Sequence, residues 1–113
     1  QTFDLALELN CEFANFYSAM AYPGSPLYAD AIELGLELPK TWKDYSQHGY
    51  NAKPLNNQYC SSAEILGFRD KAFDAYFKHQ PYLDLLEEKF GIDVVTHIKD
   101  MAAIPLKRQL LGN

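Results

Sequence analysis

The residues of this chain that could do chemistry are few and lie far apart. Cys11 and Cys60 could act as nucleophiles or metal ligands, but neither belongs to a Cys-x-x-Cys pair. His48, in Ser-Gln-His-Gly-Tyr, could contact a substrate or simply hydrogen-bond a loop. The sequence contains no nucleophile–base pair, metal-ligand spacing or glycine-rich phosphate loop. The chain by itself therefore shows no catalytic constellation, and we expect both cysteines to be inert, reduced thiols.

The most informative local feature is a junction near residues 20–28. Residues 13–20 alternate and are rich in aromatic side chains, which predicts a β-strand. Tyr-Pro-Gly-Ser then breaks the chain, and Ser25 followed by Pro26 predicts the start of a helix. In α/β proteins, ligands bind at the carboxyl ends of strands, next to such helix starts. An ordinary strand-to-helix turn has the same composition, so the junction alone leaves both interpretations open.

The elements around this junction are mainly helical. A short helix is predicted over residues 2–9, and a second over about 26–34 that Gly35 ends. Residues 36–60 are irregular but aromatic, so we expect an extended segment that packs on the rest of the protein. Its aromatic set, Trp42, Tyr45 and Tyr50, either fastens that segment or lines a pocket. From Ser61, a capping box and apolar residues at helical spacing predict a series of helices.

These elements predict a mainly α protein with one β-strand. They form a helix–strand–helix unit over residues 1–35, a connection over 36–60 and a helical extension over 61–113. A lone apolar strand needs hydrogen-bonding partners that this sequence does not supply. The chain also begins with Gln1 and enters a helix at once. We therefore expect a piece of a longer protein, whose unpaired strand could join copies of the chain.

Composition narrows the possible partners and compartment. The chain has 113 residues, which suits one domain, and a formal net charge of −5. That charge argues against nucleic acid as a partner, because phosphate binding needs a basic surface. No apolar run approaches the roughly 20 residues of a membrane span. Two unpaired cysteines favour a cytoplasmic protein over a disulfide-bonded one.

Residues 5–35 resemble the last barrel unit of radical S-adenosylmethionine enzymes. The resemblance is to the iron–sulfur oxidoreductases that often carry an N-terminal cobalamin-binding domain. In that group a strand ends in a Pro-Tyr-Pro-Gly-Thr-like motif, followed by Leu-Tyr and a helix. Here Ala-Tyr-Pro-Gly-Ser precedes Leu27-Tyr28, so Ala21 and Ser25 replace the commoner Pro and Thr. Residues 38–50, 68–73 and 98–111 look similar to the C-terminal extension of these proteins.

The resemblance implies that the chain is the C-terminal part of such an enzyme and ends an incomplete (β/α) barrel. The family's [4Fe–4S] cluster sits on a Cys-x-x-x-Cys-x-x-Cys motif that this chain lacks. The cluster, most of the S-adenosylmethionine site and any cobalamin domain would lie upstream, and the upstream domain would be the chain's partner. The residues expected near the adenosine end of S-adenosylmethionine are Tyr22, Pro23, Gly24 and Ser25. The competing interpretation is a self-contained helical module that binds a partner protein through an aromatic groove.

Overall fold

The computed structural model describes residues 1–113 and contains five α-helices. They are α1 (Thr2–Leu9), α2 (Pro26–Glu33), α3 (Ser62–Phe77), α4 (Gln80–Phe90) and α5 (Ile92–Ala103). Short 3₁₀ turns occupy Trp42–Tyr45 and Gln109–Leu111. The chain divides into two compact units. Unit 1 comprises residues 1–16 and 70–105, and unit 2 comprises residues 17–69 and 106–113.

Unit 1 is built around the pair α4 and α5, with an aromatic core. A proline in the first turn of α4 suits a helix start, and Gly91, with φ of +87°, makes the turn into α5. Tyr82 is fully buried and packs against the ring of Phe77 at 5.5 Å in an edge-on arrangement. The buried cluster consists of Tyr76, Phe77, Tyr82, Leu83, Leu86, Val95 and Ile98.

Unit 2 contains α2, the first half of α3 and long irregular segments. Its apolar core is small and consists of Met20, Tyr45, Ala52 and Leu66, with Leu110 packed against it. The helix α3 begins with the predicted capping box, because the Ser61 N–H donates to Glu64 at 2.8 Å and the Glu64 N–H to Ser61 Oγ at 3.3 Å. That core is small. The irregular segments of this unit also form hydrogen bonds to buried groups.

The predicted β-strand over residues 13–20 is wrong. Burial alternates along the segment, but residues 1–113 contain no strand and no sheet. The polypeptide is therefore all-helical apart from irregular segments, and the expected helix–strand–helix unit of a (β/α) barrel is not formed. The sequence pattern misleads because alternating apolar residues suit any extended segment with one buried side. Such a pattern does not show which groups form hydrogen bonds to the backbone.

Side chains, instead of a neighbouring strand, hydrogen-bond to several backbone groups of residues 11–18. In unit 1, the Tyr82 hydroxyl donates to the Glu12 carbonyl at 3.0 Å, and the Tyr76 hydroxyl donates to the Cys11 carbonyl. In unit 2, the Gln47 side chain bonds to Ser18. Buried backbone groups need partners of some kind, and here phenols and an amide supply them. None of the helices combines the length and apolar composition needed to cross a bilayer.

Candidate functional site

The turn at residues 22–25 has the local geometry that its sequence predicts. Ser25 caps α2, because its Oγ accepts the Tyr28 N–H at 3.1 Å. The same hydroxyl donates to the Tyr22 carbonyl at 2.7 Å. Gly24 has φ of +89°, a conformation that favours glycine. The Ser25 hydroxyl is thus committed within the turn as both donor and acceptor.

A pocket of about 490 Å³ opens next to this turn in unit 2. Of the four predicted site residues, only Tyr22 lines it, whereas Pro23, Gly24 and Ser25 lie outside. The Tyr22 side chain is 46% exposed, so its ring is available at the mouth. The complete lining is Tyr17, Ser18, Ala19, Met20, Tyr22, Gln47 and His48.

Gln47 fixes the wall of this pocket through a two-point bond to Ser18. Its Oε1 accepts the Ser18 N–H at 3.0 Å, and its Nε2 donates to the Ser18 carbonyl at 2.9 Å. The side-chain amide thus takes the place of a neighbouring peptide group. Ser18 is buried, and its own Oγ has no hydrogen-bond partner. On the other side, the Leu55 N–H donates to the Ala19 carbonyl at 2.9 Å.

Two buried arginines hold the loop that carries Gln47 and His48. Arg69 Nη2 lies 2.9 Å from His48 Nε2, and Arg108 Nη1 donates to the Gly49 carbonyl at 2.9 Å. Because a guanidinium has only donors, Nε2 must accept, which selects the neutral Nδ1–H tautomer of His48. Both arginines are almost completely buried. The loop is therefore anchored, and the His48 ring has a defined orientation at the pocket.

Of the three aromatics predicted in the connection, Tyr45 is the one that supports the pocket. Its buried ring packs against Tyr22 at 5.7 Å, and burial raises the pKa of the Tyr45 phenol. The ring of Trp42 lies 6.2 Å from that of Tyr45 and is 78% exposed, and Tyr50 is also exposed. Neither Trp42 nor Tyr50 lines the pocket.

The cysteines do not fit an iron–sulfur cluster. Cys11 and Cys60 are free and exposed, and they belong to different units. Such clusters are held by several cysteine thiolates, and residues 1–113 contain no group of three or more His, Cys, Asp or Glu that could hold a metal ion. Two thiols are fewer than the four that a [4Fe–4S] cluster takes.

The arrangement can bind and orient a ligand, but it contains no activated nucleophile. Three ring systems, those of Tyr17, Tyr22 and His48, border the opening, and Tyr17 approaches His48 edge-on at 6.4 Å. Sequence reasoning missed Ser18, Gln47 and the two arginines. A lone glutamine in a loop carries no pattern that could have identified it. Comparison with protein-family models, curated proteins and solved structures finds no match to this chain.

Proposed function

We propose that this chain is the non-catalytic C-terminal part of a radical S-adenosylmethionine iron–sulfur oxidoreductase and supplies one wall of its ligand pocket. The observation that carries the proposal is the position of Tyr22. This residue belongs to the Tyr-Pro-Gly-Ser motif on which the resemblance rests, and it lines a pocket with Gln47 and His48. The barrel unit that the resemblance implies is not part of the proposal.

The chemistry of the pocket suits the adenosine end of the cofactor. Flat aromatic faces stack on nucleobases, and such a contact is worth roughly 1–3 kcal/mol per base. Tyr22 and His48 offer rings at the mouth, and the buried Tyr45 supports the Tyr22 ring from behind. The hydrogen-abstracting radical would come from the cofactor and an upstream domain. This chain would bind and orient the adenosine end of the cofactor.

The compartment and partner follow from the same proposal. The upstream radical S-adenosylmethionine domain is the expected partner, and the cytoplasm is the expected location. Two exposed free thiols favour a reducing compartment, in which disulfides rarely persist. Cobalamin would be a cofactor of the full-length protein only.

Saturation-transfer NMR with S-adenosylhomocysteine, a stable cofactor analogue, tests the pocket. We expect saturable, weak binding to the purified chain, with the strongest transfer to the adenine protons. Tyr22→Ala should weaken binding by about tenfold, which corresponds to one lost stacking contact. Tyr59→Ala is the matched control, because Tyr59 is an exposed tyrosine of the same unit that does not line this pocket. Equal binding by the two variants, or no saturation at millimolar ligand, contradicts the proposal.

The alternative function is a helical module that binds a partner protein. It is favoured by the number of large apolar side chains that stand in solvent, such as Leu34 at 72% and Ile104 at 68% exposure. The reading frame upstream of Gln1 distinguishes the two functions. A Cys-x-x-x-Cys-x-x-Cys motif there supports the oxidoreductase, whereas an initiator Met directly before Gln1 supports the module.

A further inference from the structure

A second, apolar groove of about 630 Å³ lies in unit 2 and shares no lining residue with the pocket. Its apolar walls are Leu34, Leu36, Leu55 and Tyr59, and the amide side chains of residues 56–58 complete it. Leu34 and Tyr59 are 72% and 82% exposed, so both present most of their surface to solvent. Contiguous apolar surface with a polar rim is typical of a protein-binding site.

The first wall of the groove is held by the end of α2. The Leu36 N–H donates to the Ala31 carbonyl at 2.9 Å, and the Gly35 N–H donates to the Ile32 carbonyl at 3.0 Å. Gly35, which lies between Leu34 and Leu36, takes a left-handed conformation with φ of +66°. This bond pattern is that of a Schellman-type helix end, which fixes the residues on both sides of the glycine.

The second wall is held by a tight turn around Asn57. Asn57 Oδ1 accepts the N–H groups of Tyr59 at 2.8 Å and Cys60 at 2.9 Å, and the Asn57 N–H donates to the Cys60 carbonyl at 3.1 Å. Tyr59 is therefore presented by an ordered turn. A partner that covers it gains apolar burial without first having to order a loop.

Two carboxylates that come within four residues before Leu34 favour a partner with positive charge. Asp30 and Glu33 lie in the C-terminal half of α2, whose last turn has no basic residue. Carboxylates near a helix C-terminus meet the negative end of the helix dipole, so a cation placed there is favoured. Glu37 differs, because it already pairs with Lys53. A second copy of this chain is a poor occupant, since each copy carries a net charge of −5.

We propose that this groove docks an amphipathic helix of a partner protein that carries basic residues. Its leucine-like side chains cover Leu34, Leu55 and Tyr59, and its lysine or arginine side chains face Asp30 and Glu33. This is the helix-in-groove mode of peptide recognition. The inference stands on the groove alone and does not depend on the function proposed for the pocket.

Titration of the full chain with two synthetic peptides tests this inference. One peptide is an amphipathic helix of leucine and lysine, and the other has every lysine replaced by glutamate. We expect saturable backbone amide shifts at residues 34–36 and 55–59 with the lysine peptide only. Tyr59→Ala should weaken binding by about tenfold, the effect of losing one buried aromatic anchor. Phe90→Ala, which removes an exposed aromatic from unit 1, is the matched control.

A pair of charge variants separates specific recognition from general attraction to an acidic protein. Asp30→Asn with Glu33→Gln should weaken the lysine peptide several-fold, whereas Glu87→Gln with Glu88→Gln should not. These four carboxylates are all exposed, so neither change is expected to unfold the chain. Equal weakening by both pairs overturns the proposal, as does equal binding of the two peptides or the absence of saturation at millimolar peptide. Concentration-dependent dimerisation that protects Tyr59 would also overturn it, by assigning the groove to a second copy.

Discussion

Replacing Gln47 by alanine would remove the two-point bond that holds the extended segment at Ser18. The two bonds, at 3.0 and 2.9 Å, satisfy both backbone groups of a residue that is only 6% exposed. A net contribution of roughly 1 kcal/mol per bond gives about 2 kcal/mol for the pair. Because burial limits replacement by water, we expect Gln47→Ala to lower the free energy of unfolding by about this amount.

Urea unfolding followed by far-ultraviolet circular dichroism measures this loss. Gln58→Ala is the matched control, because Gln58 is an exposed loop glutamine of the same unit that makes no such bond pair. The control should stay within about 0.5 kcal/mol of the parent chain, as surface substitutions usually do. If Gln47→Ala also stays within that range, or if the two variants lose the same amount, the amide does not hold the segment.

The variant Gln47→Glu adds a pH dependence with a defined sign. An ionised carboxylate can accept the Ser18 N–H, but it cannot donate to the Ser18 carbonyl and is repelled by it. The protonated acid can donate, so folding should raise the pKa of the introduced carboxyl above its unfolded value of about 4.3. The stability gap between Gln47→Glu and the parent should therefore be smallest below about pH 4 and widen as pH rises through the folded pKa. A gap that does not change with pH would count against this geometry.

Three further predictions follow from other parts of the chain. Burial, and after it the neighbouring Tyr76, raises the pKa of the Tyr82 phenol to about 12. The stability that the neutral phenol contributes is therefore complete below about pH 10 and is lost as the pH rises toward 12. In Tyr82→Phe, the urea midpoint of unfolding should fall less over this pH range. Hydrogen bonds from the Ser61 N–H and hydroxyl lower the pKa of the Glu64 carboxyl. The stability that the ionised carboxylate contributes is therefore lost as the pH falls through this lowered pKa. Glu64→Gln should remove this part of the loss of stability in acid. Elemental analysis of the purified chain should find no stoichiometric iron, and a visible cluster band would contradict this.

Helix starts and ends could be predicted because their signals are local. Ser25 with Pro26, and Ser61 with Glu64, lie within one helical turn of the backbone groups that they bind. Tyr22, which belongs to a local motif, lines the pocket, and its role in binding is a prediction. The rest of the pocket could not be found in this way. Gln47 hydrogen-bonds to Ser18, which lies 29 positions earlier in the chain. The residues around Gln47 carry no pattern that predicts this contact.

The sequence by itself determined where α2 and α3 begin, because sterics and capping act between near neighbours. The tertiary structure alone decided that residues 13–20 are not the strand that their pattern predicts. An extended backbone has the same side-chain pattern whether a strand or a set of side chains satisfies it. Here the Gln47 side chain bonds to Ser18 and the Leu55 N–H donates to the Ala19 carbonyl, and both partners come from a distant part of the chain. The positions of these partners depend on how the unit packs, and that packing also forms the pocket that Tyr22 lines.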